Sequence, residues 1–291
     1  MSLGSVSRIA LSGISAAQMV VDVVGNNLAN SQTVGFKASE VSFSTQSMQT
    51  NSLGSSPTAV DGGTNPVQTG LGVQAAGISP SFTQGSISLR GDPLSLAVQG
   101  NGFFILEDDQ QGQLFSRDGR FHLNADKELV STTGHRVLGF ESDENSEIRT
   151  GRLTPLTVSL GRQVQGADGS AATLTDFRVT EDGRISGRFS DGISRDLGQI
   201  GIAQFANPAG LQQTGGTLYA ATSSSGLPVE GTPGSGSSGS LVAGAVELSN
   251  TDIGQSLIDL SAASTLFRAS AAVLDTTDSM SASLLSLRRP R

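Results

Sequence analysis

The segment GNNLANSQTVGFK (25–37) carries three asparagines, Asn26, Asn27 and Asn30, at the point where a long apolar-periodic run ends. Asparagine tolerates left-handed backbone, and its side chain can bond the orphan backbone groups at the end of a helix. One asparagine is enough for that purpose. The other two therefore predict amide hydrogen bonds to something besides the local backbone. The alternative is that all three asparagines serve only the end of the helix.

This segment follows the first of two helices that the sequence predicts at the ends of the chain. Upstream of it, apolar residues alternate spacings of four and three, which predicts a helix of about 25 residues. The residues of this stripe are Ala10, Ile14, Ala17, Val21, Val24 and Leu28. Near the other end, residues 255–289 contain no Gly or Pro, which predicts a second helix. At about 1.5 Å per residue it would be roughly 50 Å long.

The second helix carries apolar residues over a wide arc. One stripe consists of Ile253, Leu257, Leu260, Phe267, Ala271 and Leu274, and an adjacent one of Ala263, Leu266, Val273, Met280, Leu284 and Leu287. We expect the two terminal helices to pair as a coiled coil, but one partner helix cannot cover both stripes. Because a large exposed apolar patch marks an interaction site, we expect the chain ends to meet further copies or another protein.

Polar residues mark both ends of this C-terminal helix. Asp252 with Gln255 three residues later predicts a capping box at its start. Arg288, Arg289 and Arg291 lie where cations favour the helix dipole.

Short strand-like runs separated by turn signals fill the middle of the chain. The runs are NGFFIL (101–106), GQLFS (112–116), RFHLN (120–124), HRVLGF (135–140), FRVT (177–180) and RISGRF (184–189). They predict an all-β domain over 75–225, so the fold class is α+β and mainly β. Low-complexity stretches predict extended, poorly packed linkers over 31–74 and 226–249. The terminal helices then occupy 1–30 and 250–291.

The composition argues against several classes of function. The chain has 291 residues and a net charge of −8, so it lacks the basic field that a nucleic acid or an anionic membrane requires. It has no cysteine, which excludes disulfides and thiolate chemistry. The most apolar run, 19–24, contains Asp22 and is too short to span a bilayer. No secretory signal is visible, so these features alone predict a cytosolic protein.

Motifs for catalysis or cofactor binding have better structural explanations. GSGSSG (234–239) satisfies G-x-G-x-x-G but follows no strand and lies beside Pro233, so a flexible linker explains it. His122 and His135 are the only histidines, which makes a zinc site or a Ser-His-Asp triad a poor fit. We therefore expect no enzymatic activity, no cofactor and no metal ion.

Five segments, in order along the chain, resemble the bacterial flagellar rod and hook protein family. They are SGISAAQMVVDVVGNNLANSQTVGFKASEVSF (12–43), GLGVQAAGISPSFTQGSISLRGDPLSLAVQGNGFFIL (70–106), FSRDGRFHLNADKELVSTTGHRVLGF (115–140), IGIAQFANPAGLQQTGGTLYAATSSSG (200–226) and GSLVAGAVELSNTDIGQSLIDL (239–260). Together they cover well over half of the chain, including both ends. The resemblance implies terminal helices that pack as the inner tube of a helical assembly, with β-domains facing outward.

The resemblance also implies partners and a location in the bacterial flagellum, as hook or basal body. Members leave through the flagellar type III export apparatus, unfolded and without a cleaved signal peptide. They join copies of themselves in an open helical polymer and meet neighbouring rod or hook–filament junction proteins. Neither nucleic acid nor membrane insertion is expected.

Eight residues are carried over from the family as candidates for subunit assembly. They are Asn26, Asn27, Asn30, Thr33, Gly35, Phe36, Asn250 and Asp252. The resemblance implies that Gly35 serves backbone shape, that Phe36 packs under the linker and that the amides bond between copies.

Within the family, the resemblance favours a short hook protein, with the distal rod protein as the alternative. GGTNPVQTGLGV (62–73) and TPGSGSSGSLVAGAVELSN (232–250) are hook-like. Only about 35 residues separate Phe140 from Thr175, too few for the extra outer domain that hook proteins commonly carry. SAASTLFRAS (261–270) lacks the amides usual in the family, so no specific contact is carried over to it. A β-sandwich adhesin with coiled ends and a transient assembly cap are the remaining alternatives.

Overall fold

The computed structural model describes residues 3–57, 61–108, 112–143, 148–149, 151–159, 161, 163–165 and 171–287. Its two long helices are α1 (Leu3–Ala29) and α2 (Ile253–Leu287). The strands between them are β1 (Ser39–Thr45), β2 (Met48–Ser52), β3 (Val67–Gly70), β4 (Val73–Pro80), β5 (Ile87–Leu89), β6 (Leu96–Gln99), β7 (Phe103–Glu107), β8 (Gln113–Ser116), β9 (Phe121–Leu123), β10 (Leu129–Ser131), β11 (Arg136–Glu141), β12 (Thr154–Pro155), β13 (Gln163–Gln165), β14 (Ala171–Val179), β15 (Arg184–Phe189), β16 (Ser194–Ile200), β17 (Ile202–Gln204), β18 (Gln212–Gly215), β19 (Leu218–Ala220), β20 (Val229–Gly231), β21 (Ser240–Ala243) and β22 (Ala245–Glu247). A short 3-10 helix, Pro208–Gly210, precedes β18.

The chain divides into two units. The helical unit comprises residues 1–29, 39–80 and 252–291, and the sheet unit comprises residues 30–38 and 81–251. This division differs from the predicted one, in which 31–74 and 226–249 are linkers. Residues 39–80 belong to the helical unit because they form two strand pairs, β1 with β4 and β2 with β3.

The two helices of the helical unit have lengths close to those predicted. α1 has 27 residues and α2 has 35. β1 runs antiparallel to β4, from Ser39 opposite Pro80 to Thr45 opposite Val73. The Val73 amide donates to Ser12 Oγ at 3.3 Å, which ties β4 to α1. The strands β2 and β3 pair with each other and are almost fully exposed.

Small side chains form the contact between α1 and α2. The buried residues of α2 are Ser256, Ala263 and Thr277, and their numbers differ by multiples of seven. On α1, Gly13 lies so close to α2 that an added Cβ would be 2.7 Å from Ser270 Oγ. Small residues let the two helix backbones approach closely. At that distance a larger side chain does not fit between them.

The predicted packing stripe therefore describes the contact only in part. Ala10, Ala17 and Val24 are buried as predicted, and the half-buried members are Ile14, Leu28, Leu260 and Leu274. Val21, Leu257 and Phe267 are 37%, 51% and 39% exposed, so within the chain they do not have the packing role predicted for them. The predicted stripe contains both large and small apolar side chains, whereas the close contact buries mainly the small ones. The side chain of Leu287 and the cations Arg288, Arg289 and Arg291 lie outside the described residues.

An antiparallel sheet of 14 described strands organises the sheet unit. Its main path is β13-β14-β15-β16-β11-β7-β8-β19-β18, with β9, β10, β12, β17 and β20 joined beside it. The pairs β5–β22 and β6–β21 are additional. All six strand runs predicted from the sequence are confirmed, in β7, β8, β9, β11, β14 and β15.

Two apolar cores form around β7, whose side chains alternate between them. Phe104 and Leu106 belong to one core, and Phe103 and Ile105 belong to the other. The second core is small and aromatic, with edge-to-face ring pairs at centroid distances from 4.7 to 6.1 Å. Tyr219, which is fully buried, belongs to it.

The stretch predicted as the second linker is largely built into the sheet unit. β21 pairs with β6, β22 pairs with β5, and Leu241, Ala245 and Val246 are fully buried. The GSGSSG stretch forms turns, in which the Gly234 amide donates to Gly239 O at 2.9 Å. Its low-complexity composition hid the short strands that follow it, because three or four residues are too few to show a clear period.

Candidate functional site

Asn27 uses its whole side-chain amide inside the chain. It lies in the last turn of α1, where Nδ2 donates to Ser39 O and Oδ1 accepts from Ser39 N, both at 2.8 Å. This two-bond pairing has the pattern of a β-ladder and closes residues 28–38 into a loop. Asn27 is 7% exposed, so both bonds are sheltered from water.

Asn250 makes the equivalent pairing in the sheet unit. Its Oδ1 accepts from Ala38 N at 2.8 Å, and its Nδ2 donates to Ser81 O and Thr83 Oγ1, each at 2.8 Å. Asn27 and Asn250 therefore bind the backbone of two consecutive residues, 39 and 38. Their polar atoms are engaged within one chain, and a role for them between copies stays a prediction.

Asn30 and Thr33 form the turn that follows α1. The Thr33 amide donates to Asn30 O at 3.0 Å, and Thr33 Oγ1 donates to Asn30 Oδ1 at 3.1 Å. The Phe36 amide donates to Thr33 O at 3.3 Å, which continues the turn. Asn26 is exposed on α1. The three asparagines thus have three different environments.

Gly35 occupies a position that only glycine fits. Its φ is +71°, in the left-handed region, and its amide donates to Glu247 O at 2.8 Å. A Cβ on this residue would lie 2.8 Å from the backbone carbon of Arg117. Both the backbone angle and the close approach exclude larger residues. Phe36, the next residue, is 3% exposed.

Lys37, two residues after Gly35, forms a buried ionic cluster with Arg117 and Glu247 that the sequence does not reveal. Lys37 Nζ is 2.6 Å from Glu247 Oε1, and Arg117 Nη1 is 3.3 Å from Glu247 Oε2. Lys37 also donates to Thr83 O at 2.7 Å, and the Gly85 amide donates to Glu247 Oε1 at 2.8 Å. The cluster therefore ties together four separate segments of the sheet unit.

Burial governs the protonation of this cluster. Desolvation lowers the pKa of Lys37 and of Arg117, and the attraction of Glu247 opposes it only in part. In the sequence, the one sign of this cluster is that Lys37 is one of only two lysines in the chain. A rare lysine does not by itself reveal its partner.

Asp252 caps α2. Its Oδ1 accepts from the Gln255 amide at 3.1 Å, and its carbonyl accepts from the Ser256 amide at 2.9 Å. The predicted capping box is only half formed, because Gln255 Nε2 donates forward to Asp259 Oδ1 at 2.8 Å. Asp252 thus has a defined role in the fold, and its role in assembly stays a prediction.

The outward side of the helix pair is apolar. The large exposed apolar residues of α2 are Ile253, Leu257, Ile258, Leu266, Phe267, Val273, Met280, Leu284 and Leu285, and those of α1 are Leu11 and Val21. A groove of about 450 Å³ between the helices is lined by Gln18, Val21, Asp22, Leu260, Ser264 and Phe267. A surface of this kind needs a partner to cover it.

Both helices also reach the length and apolar composition at which a helix can cross a membrane. The stretches are Gly4–Ala29 in α1 and Ile253–Ser286 in α2. The apolar run 19–24, judged too short for this from the sequence, is thus part of a longer apolar helix. Helices of soluble proteins meet the same criterion, so it does not by itself indicate a membrane protein.

Within the residues that the structure describes, no group of three or more His, Asp or Glu side chains is placed to hold a metal ion.

Comparison with protein-family models gives three matches that together span much of the chain. Residues 8–37 match "Flagella basal body rod protein", residues 97–187 match "Flagellar hook protein FlgE/F/G D1 domain", and residues 242–287 match "Flagellar basal body rod FlgEFG protein C-terminal".

Similar curated proteins cover nearly the full length. The flagellar basal-body rod protein FlgG of Bacillus subtilis is 32% identical over 96% of this chain and 97% of its own. FlgG of Agrobacterium fabrum is 32% identical over 94% of this chain and 95% of its own length. The flagellar hook protein FlgE of Escherichia coli is 26% identical over 96% of this chain and 99% of its own length. The chain belongs to the flagellar rod and hook protein family.

The matched regions contain the candidate residues at both ends. The rod-protein match of 8–37 includes most of α1 and the whole asparagine segment, up to Lys37. The C-terminal match of 242–287 includes Glu247, Asn250 and Asp252 together with α2. The Gly35–Glu247 bond joins the two terminal matches, whereas the partners of Asn27 and Asn250 lie outside the matched residues.

Proposed function

We propose that this protein is a structural subunit of the bacterial flagellar axial structure and assembles with copies of itself into a tube. The observation that carries the proposal is the exposed apolar side of the helix pair. Burying it against other copies would remove that surface from water, at roughly 25 cal/mol per Å² of apolar area. The family to which the chain belongs supports the same reading.

Contact of α1 with α2 is a feature of the single chain, and we propose that it extends into a coiled coil in the polymer. Residues that lie outside the contact, such as Val21, Leu257 and Phe267, then become the contacts between subunits. A heterologous contact that does not close generates an open helix, which is the symmetry that a tube requires.

The sequence favoured a short hook protein over the distal rod protein. We propose the opposite order from the lengths of the alignments. Rod-protein alignments cover 97% and 95% of the relatives' own lengths with 280 and 274 aligned positions. The alignment with the Escherichia coli hook protein extends over 414 positions, more than the 291 residues of this chain. The hook protein therefore has segments without a counterpart here. We place the subunit in the distal rod, with a short hook as the alternative.

The partners and the route follow from this placement. We propose that the subunit passes through the flagellar type III export apparatus and contacts neighbouring rod or hook proteins in the finished structure. The protein has a structural role, without catalysis, a cofactor, nucleic acid or membrane insertion.

Assembly can be tested with Leu257→Ser combined with Phe267→Ser. Sedimentation and electron microscopy of the purified chain should show tubes for the wild type and soluble subunits for the double variant. Leu227→Ser is the control, because Leu227 is 88% exposed in the sheet unit and should leave assembly unchanged. Tubes of normal length from the double variant would contradict the proposal, and co-flotation of the wild type with lipid vesicles would point to the membrane instead.

Antibody-gold labelling of purified hook–basal bodies distinguishes the two positions. Gold on the straight segment within the cell envelope is expected for the distal rod. Gold along the curved external segment would establish the hook.

A further inference from the structure

A small cavity in the sheet unit opens against the aromatic core and the ionic cluster. Its volume is about 270 Å³. Its apolar walls are Phe82, Phe103 and Phe205, and its polar residues are Asn101, Arg117 and Gln204. We call it the Arg117 pocket.

Two residues that line the Arg117 pocket each have a buried nitrogen atom without a hydrogen-bond partner among the described residues. These atoms are Arg117 Nε and Gln204 Nε2. The other polar atoms of these side chains are engaged: Arg117 Nη2 donates to Gly100 O at 2.9 Å, and Gln204 Oε1 accepts from Ser237 Oγ at 2.8 Å. A buried N–H without an acceptor costs free energy, so both atoms call for an acceptor that the described residues do not supply.

The charge of the neighbouring cluster points to the same kind of ligand. Lys37 and Arg117 are two cations, and Glu247 is the single carboxylate bound to both. The side chains of Lys37 and Glu247 are fully buried, and that of Arg117 is 3% exposed. With all three ionised, one positive charge remains without an opposite charge in the cluster. The face of the Phe103 ring, 5.1 Å from the guanidinium carbon, offsets it only weakly.

We propose that the Arg117 pocket binds a carboxylate, and that in the polymer this is an Asp or Glu side chain of a second copy of the chain. A carboxylate has only acceptor atoms, carries the missing negative charge and can accept from two N–H groups at once. The methylene stem of such a side chain suits the aromatic walls. This proposal rests on the self-assembly proposed above.

The size and the composition favour a side chain as the occupant. A volume of 270 Å³ falls just below the range of roughly 300–1,000 Å³ typical of ligand pockets, so a large cofactor does not fit. The chain has 26 acidic residues against 18 Lys and Arg, so a second copy offers carboxylates in excess.

The pocket is tested on the unassembled full-length chain with ¹⁵N-labelled arginine. Sodium propionate should shift the Arg117 Nε–H resonance, whereas propionamide, which is neutral and of similar shape, should not. Gln204→Leu should weaken propionate binding by about tenfold or more, because one bond to a charged group is lost. Gln68→Leu is the control, since Gln68 lies in the helical unit. Equal shifts with the amide, or none with propionate, would overturn the pocket.

Gln204→Glu supplies the carboxylate from within the chain. It should block propionate binding and raise the melting temperature of the sheet unit near neutral pH. A lower melting temperature together with unchanged propionate binding would contradict the assignment.

The source of the carboxylate is tested in washed polymer without added ligand. Subunits with ¹⁵N-arginine are co-assembled with subunits carrying ¹³C-labelled Asp and Glu, and a solid-state NMR correlation between Arg117 Nε and a carboxylate is expected. A polymer without that correlation would overturn the second copy as the source, whatever propionate does in the free chain. Absence of any polymer would instead reject the proposed function, and the propionate titration would still decide the pocket.

Discussion

The helical unit and the sheet unit bury opposite kinds of side chain. The sheet unit encloses most of its large apolar residues, such as Phe104, Phe115 and Tyr219. The helical unit buries Ala17 and Ala263 and leaves Leu257 and Phe267 in water. A unit that hides its largest apolar groups is stable by itself, whereas one that exposes them gains stability on association. We therefore expect the sheet unit to be stable in the monomer and the helical unit to gain stability in the polymer.

Spectroscopy can follow the two units separately. The chain has no Trp and a single Tyr, Tyr219, so tyrosine emission reports on the sheet unit. Circular dichroism at 222 nm reports mainly on α1 and α2.

The largest expected effect is that of Glu247→Gln, which should break the sheet unit. Lys37 and Arg117 would remain buried without their carboxylate, so the free energy of unfolding should fall by about 3–5 kcal/mol. Urea denaturation followed by Tyr219 emission measures it. Glu141→Gln, at an exposed position, is the control with little expected change. A loss below about 1 kcal/mol would show that the cluster is not an essential part of this unit.

The second largest loss of stability is expected in the helical unit. Asn27→Ala removes both bonds to Ser39 and leaves two backbone groups unpaired, which should cost about 2 kcal/mol. Asn27→Asp keeps one acceptor but places a charged oxygen against Ser39 O at a buried site, so it should cost at least as much. Urea denaturation followed at 222 nm measures both variants. If Asn27→Ala stays as stable as the wild type but fails to assemble, the amide acts between copies, as the sequence first indicated.

A smaller effect is expected at the start of α2. Asp252→Ala removes the N-cap and should lower the free energy of unfolding by about 1 kcal/mol. Asp252→Asn should keep most of the stability because its side-chain oxygen also caps. The 222 nm signal should fall for the alanine variant, while Tyr219 emission stays the same. A matching change in both signals would mean that the two units unfold together.

The smallest effect is a pH dependence set by Lys37. Its folded pKa lies below the ordinary value of 10.5, so the unfolded chain binds more protons between the two pKa values. Its contribution to stability is therefore largest above 10.5 and is lost as the pH falls through the lowered pKa. Burial raises the pKa of Tyr219, and that group acts only above pH 10. As the pH rises towards 10.5, denaturation should show stability rising more steeply in the wild type than in Lys37→Met.

The fold was predictable where the chain repeats a period. The alternation in NGFFIL and RISGRF marked β7 and β15, the apolar spacing of four and three marked α1, and the run 255–289 without Gly or Pro marked α2. The short strands β21 and β22 were missed because three or four residues after a glycine-rich run carry too little pattern. The sequence could not show which apolar residues of α2 face α1, because small and large residues share the same helical period.

The candidate site was predictable in position but not in bonding. The sequence singled out the asparagines and Gly35, yet the partners of Asn27 and most partners of Asn250 are backbone groups that no side-chain pattern encodes. The ionic cluster joins residues 37, 117 and 247, and nothing local in the sequence relates them. Such pairings depend on the folded sheet, since the backbone brings them together.

The bond between Lys37 and Glu247 spans 210 residues of sequence. Contacts of such separation form late, because the entropy of closing a long loop must be overcome before the contact is gained. Until residue 247 is available, Lys37 lacks its buried carboxylate and the Gly35 amide lacks its acceptor, Glu247 O. A chain that emerges from any narrow passage N-terminus first therefore cannot complete its sheet unit until all but its last helix has emerged. The position of one glutamate sets the order of folding.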